Sequence, residues 1–79
     1  MPGDRFLEIA REPARLRLRD GCLVVEREGR PEVVVATFDL SAVVLAHPRC
    51  SISQPAMHAL MEAGVPLLVC DDALMPSGL

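Results

Sequence analysis

The chain has no lysine, tryptophan or tyrosine, and its only aromatic residues are Phe6 and Phe38. All eight basic residues are arginines, and most of them precede Pro31. With a net charge of −3, the molecule is not a uniformly basic nucleic-acid wrapper. Its N-terminal half still holds the material for a local basic patch. The lack of lysine beside abundant Ala, Arg and Val also fits a GC-rich coding bias. Without aromatics between the arginines, base stacking is not on offer. A core made of Val, Leu and Ala buries little area per residue, so help from a partner surface is expected.

The three cysteines, Cys22, Cys50 and Cys70, are odd in number and widely spaced, with no C-x-x-C. This pattern argues against a disulfide framework and fits a reducing, cytoplasmic setting. In strands, such thiols act as small hydrophobes. Charges from Asp4 onward leave no signal-peptide core, so none is expected. The longest apolar run, Val65–Cys70, is far too short to span a membrane. Internal repeats and low-complexity segments are absent too. What remains is 79 residues, 51% of them hydrophobic, enough for one small domain with a thin margin of stability.

In chain order, Met1–Asp4 reads as a polar, frayed leader. Arg5–Ala10 is compatible with a strand that ends before Pro13. Ala14–Arg19 alternates strictly, with Leu16 and Leu18 on one face and Arg15, Arg17 and Arg19 on the other. Asp20-Gly21 predicts a type I′ hairpin turn. The returning strand is Cys22–Glu28, with Leu18 opposite Leu23, Leu16 opposite Val25 and Arg15 opposite Glu26. A second turn at Gly29-Arg30-Pro31 leads to a strand over Glu32–Phe38, with Arg27 opposite Glu32.

The stretch from Asp39 to Asp72 organises the rest. Ala42–Ala46 is continuously apolar, as in a strand covered on both faces. His47-Pro48-Arg49 is a turn, and Cys50–Ile52 suggests a short strand. Ser53 is the expected N-cap of the one good helix, with Pro55 in its first turn. Ala56, Met57, Leu60 and Met61 form an apolar stripe assigned to core packing, while His58 and Glu62 share the opposite side. Gly64 is the expected stop, with Val65 packing back on Leu60. Val65–Cys70 is the last strand, ending in Asp71-Asp72, and Ala73–Leu79 reads as a loop. The expected fold is α+β: antiparallel hairpins leading to a strand–helix–strand unit, with the helix covering one sheet face.

Two groups of side chains carry possible chemistry. Asp71 and Asp72, with Asp39, supply hard oxygen ligands suited to a divalent metal in a small nuclease; the simpler reading is a solvated strand end. Arg15, Arg17 and Arg19 stand about 6.5–7 Å apart on one strand face, a spacing that suits the phosphates of nucleic acid. The simpler reading pairs them with Glu26 and Glu28. His47 and His58 lack metal spacing. Ser51 and Ser53 lack any triad order, and capping explains Ser53 better. A plain protein-interaction module is a third possibility.

The ordered set Leu16/Leu18, Asp39-Leu40, Ser53, Gly64, Cys70-Asp71 and Met75-Pro76 resembles the N-terminal domain of the CRISPR-associated spacer-acquisition integrases, most of all the type II branch. Leu74 departs from the polar or His residue that many relatives carry before Met-Pro. The resemblance implies a small β-rich module with one helix, spanning residues 1–73, with residues 74–79 starting a linker to a helical catalytic domain. It implies that the metal-binding Glu, His and acidic residues belong to that later domain, so no catalytic or metal residue is expected in these 79 positions. Arg15, Arg17 and Arg19 are the candidate DNA-binding residues. The family resemblance further implies a homodimer, prespacer and repeat DNA, and a smaller CRISPR-associated adaptation partner. The full-length protein would be a cytoplasmic, Mg²⁺- or Mn²⁺-dependent DNA endonuclease and integrase, acting through attack by DNA 3′-hydroxyls.

Overall fold

A hairpin anchors the fold. In the computed structural model, which describes residues 4–70 and 76–78, strands β2 (Arg15–Arg19) and β3 (Cys22–Glu26) pair antiparallel, with Leu18 opposite Leu23, Leu16 opposite Val25 and Arg15 opposite Glu26. The turn forms because Asp20 (φ 53°) and Gly21 (φ 76°) both adopt left-handed backbone, the requirement of a type I′ turn. The leader Met1–Gly3, the Asp71-Asp72 pair, Leu74 and Met75 lie outside the described residues.

Strand β4 (Val33–Ala36) pairs with β3 in a register one residue away from the expected one: Val25 faces Val33 and Leu23 faces Val35. The reversal begins one residue earlier than Gly29-Arg30. Arg30 N–H bonds the Arg27 carbonyl at 3.2 Å, and Gly29 takes φ 75°. A one-residue slip exchanges the faces of a strand. Here it sends Val35 into the core, at 3% exposure, and Val34 outward. It also brings Glu32 to the arginine side of the sheet instead of opposite Arg27. The strand stops at Ala36; a single 3₁₀ turn, Thr37–Asp39, then carries the chain to the other sheet and leaves Phe38 exposed.

That other sheet is built on strand β5 (Leu40–Leu45), which pairs in parallel with β1 (Arg5–Ile9) on one side and β7 (Leu67–Cys70) on the other. The β1–β5 ladder joins distant segments, and no local pattern signals it. Strand β8 (Pro76–Gly78) adds antiparallel to β7. The loop expected over Ala73–Leu79 is therefore corrected there: proline opens an edge strand without forfeiting a needed N–H, and the free side of β7 supplies partners. Strand β6 (Ser51–Ile52) joins the hairpin sheet by pairing in parallel with β2. The two sheets run β1-β5-β7-β8 and β4-β3-β2-β6.

Helix α1 (Gln54–Glu62) links β6 to β7. Ser53 caps it, its Oγ accepting the Ala56 N–H at 3.2 Å. At the other end, the Val65 N–H bonds the Leu60 carbonyl (2.9 Å) and the Gly64 N–H bonds the Met61 carbonyl (3.1 Å), with Gly64 at φ 72°. These two bonds are a Schellman stop. Ala56 and Leu60 are buried, but Met61 is 75% exposed, so the assignment of Met61 to the core is corrected. A stripe on so small a sheet needs only its two central positions.

One cluster joins both sheets and the helix: Ile9, Val43 and Leu45 from the first, Leu16, Leu23 and Val25 from the second, and Leu60 from α1. Burying a leucine or valine in such a cluster is worth about 1.5–3 kcal/mol. Coverage of the first sheet is one-sided. By alternation, Phe6, Ala42, Val44 and Leu68 point away from Ile9, Val43 and Leu45. Phe6 is 60% exposed, and Ala42 and Val44 are only half-buried. The expected burial of the apolar runs on both faces is thus met on one.

Candidate nucleic-acid interface

The outer face of the hairpin sheet carries Arg15, Arg17 and Arg19 along β2. Beside them, the alternation of β3 sets Cys22, Val24 and Glu26 on the same side, and that of β4 sets Val34 and Ala36 there. Val24 is fully buried although it belongs to this outer face. Its cross-strand neighbours are Arg17 and Val34, and an arginine's aliphatic stem is able to shield such a position.

Two of the three arginines are neutralised locally. Arg17 Nε stands 3.1 Å from Glu26 Oε1, and Arg17 Nη2 stands 3.5 Å from Glu32 Oε2. The Nε contact is an ion pair without the alignment of a hydrogen bond. Arg19 Nη2 donates to Glu32 Oε1. This bond, helped by the opposite charge, holds the Glu32 carboxyl below the usual glutamate range and raises the Arg19 guanidinium above its own. Glu28, expected as a partner, sits in the β3–β4 connection, and Glu32 serves instead. Arg15 is exposed, and among the described residues no carboxylate lies within ion-pair distance of it.

Sequence alternation pointed to the β2 arginines but not to those that the loops bring beside them. Arg15 shares a groove of about 400 Å³ with Arg27 and Arg49, contributed by the β3–β4 connection and the turn before β6. Arg27 also lines a second groove of about 360 Å³, with Arg11 and Arg30; Arg30 Nε is 2.9 Å from Glu12 Oε1. Only the spacing of loops in the folded chain gathers these residues, so no linear motif announces them.

Asp39 is exposed at the end of the 3₁₀ turn, and Asp71 and Asp72 lie outside the described residues. Among the described residues, no group of three or more His, Cys, Asp or Glu side chains comes together in a way that would hold a metal ion. His47 Nδ1 accepts the Arg49 N–H at 3.1 Å, and His58 Nε2 pairs with Glu62 Oε1 at 2.8 Å on the exposed side of α1. Ser53 is occupied by the helix cap, and Ser41 Oγ donates to the Arg5 carbonyl at 3.0 Å. The three cysteines are free thiols.

The fold recurs among solved structures. A crystal structure of TtCas1 in complex with DNA matches 92% of this chain at 16% identity with a TM-score of 0.78, over 25% of its own length. A Cas1 protein from Thermotoga maritima matches 94% at 8% identity and 0.75, over 24% of its length. A chain of a partial Cas6-RT-Cas1–Cas2 complex matches 96% at 21% identity and 0.80, over 22% of its length. The chain thus spans about a quarter of the length of these proteins. No curated protein matches it by sequence. A family model described as CRISPR associated protein Cas1 matches residues 7–79. The protein is therefore a member of the CRISPR-associated Cas1 family.

Proposed function

We propose that this chain acts as the non-catalytic N-terminal module of a spacer-acquisition integrase, helping to form the dimer and to position DNA. The match of a Cas1 family model to residues 7–79 carries this reading. The fold's recurrence in a Cas1 protein bound to DNA and in a Cas1–Cas2 complex supports DNA and a smaller adaptation partner as its company. In the full-length protein, metal-dependent integration, with Mg²⁺ or Mn²⁺, would belong to residues outside these 79. The β2 arginines, Arg15 foremost because it has no ion-pair partner among the described residues, are proposed to face DNA. The outward apolar residues Phe6, Ala42, Val44 and Leu68 support self-association through the first sheet. No helix among the described residues is long and apolar enough to cross a membrane, and a cytoplasmic setting is part of the proposal.

The test is incubation of the 79-residue protein with labelled duplex DNA and Mg²⁺ or Mn²⁺. Binding without strand cleavage is expected. Cleavage that disappears in Asp71→Ala would overturn the non-catalytic role, and failure to bind any duplex at low salt would overturn DNA positioning.

A further inference from the structure

We propose that the groove formed by the start of β2, the β3–β4 connection and the turn before β6 is a seat for the phosphodiester backbone of duplex DNA, with Arg15, Arg27 and Arg49 as its phosphate ligands. The inference rests on the DNA-positioning role and names the surface that performs it.

Of the eight arginines, Arg17, Arg19 and Arg30 each have a carboxylate within 4.0 Å, whereas Arg5, Arg11, Arg15, Arg27 and Arg49 have none among the described residues. Three of the unpaired ones, Arg15, Arg27 and Arg49, come from separate segments and converge on one groove. Of the two glutamates that line it, Glu26 is already engaged by Arg17, which leaves three arginines against Glu28. Local charge is therefore positive on a molecule whose net charge is negative.

Arg27 stands at the boundary between the two grooves, and the neighbouring one also carries Arg11, which has no carboxylate partner among the described residues. A guanidinium matches a phosphate with a pair of parallel N–H bonds, and the exposed Ser51 hydroxyl offers a neutral donor beside it. No aromatic side chain lines the groove, so it is built for backbone contact without base readout.

Fluorescence anisotropy of the 79-residue protein with a labelled duplex, titrated with salt, tests the assignment. Each of Arg15→Ala, Arg27→Ala and Arg49→Ala is expected to weaken binding several-fold on any sequence. Each should also flatten the plot of log affinity against log salt by about 0.9, the contribution of one phosphate. Arg17→Ala/Arg19→Ala should change the slope less. Because Arg27 is half-buried, Arg49→Glu in the exposed turn serves as a second variant, its fold checked by thermal melting, with a larger loss expected. If the duplex binds but the groove variants keep the wild-type slope, the groove is wrong and DNA positioning survives. If no duplex binds the wild-type protein, both fall. Competition by inorganic pyrophosphate as strong as that of the duplex would identify a small-anion site and overturn the backbone assignment.

Discussion

Glu32 decides how much of the arginine face is free. It reaches both Arg17 and Arg19, so one carboxylate occupies two guanidinium groups. Its carboxyl is held below the ordinary value by the Arg19 bond first and by charge second. A lowered pKa in the folded state means that the pair stabilises the fold above the unfolded glutamate's pKa and ceases to do so as pH falls through the folded value. Thermal melts of wild type and Glu32→Gln should therefore converge as pH drops below about 4, near and below the unperturbed glutamate pKa, and differ slightly at neutral pH. A difference that persists undiminished into strong acid would show that Glu32 acts through something other than its charge. Exposed pairs of this kind contribute little to stability and are weakened by salt.

At the scale of elements, α1 depends on its two ends. Ser53→Ala removes the acceptor for the Ala56 N–H and should cost about 1 kcal/mol. Gly64→Ala meets no atom within 4 Å but must hold φ 72°, so its cost of about 1–2 kcal/mol comes from backbone strain alone. Denaturant melts of both variants check the pair, and a neutral Gly64→Ala would mean that the Schellman stop is dispensable. Both ends were legible in the sequence, as was the Asp20-Gly21 hairpin, because each is dictated by residues within one turn of chain. The register of β4 was not. Gly29 and Arg30 are both compatible with a reversal, and the choice between two adjacent registers is made by which valines reach the core. Met61 was misjudged for a related reason: helical periodicity marks a stripe but not how far the covering sheets extend. For the candidate interface, alternation revealed Arg15, Arg17 and Arg19, whereas Arg27 and Arg49 join Arg15 only through loop packing.

For the whole molecule, the asymmetry of the first sheet matters most. Its inner face contributes Ile9, Val43 and Leu45 to the core, while Phe6 and Leu68 stay exposed on the other side. Replacing an exposed residue with a charge leaves the core intact. Phe6→Asp should therefore lower self-association, measured as mass by light scattering over a concentration series, without lowering the melting temperature. Wild-type protein that stays monomeric at high concentration would remove this face as a dimer surface. The groove of Arg15, Arg27 and Arg49 has no lining residue from the first sheet, so the proposed DNA contact and the proposed dimer surface need not compete.

The parallel pairing of β1 with β5 also sets an order of events. Leu7 must wait for Val43 and Ile9 for Leu45, whereas the β2–β3 hairpin needs only its own turn. Closing a long loop before any contact rewards it is slow, so local hairpins form ahead of distant strand pairs. During synthesis, β1 therefore emerges well before its partner β5 and must wait for it, and until β1 docks one edge of β5 stays open to pairing with another chain.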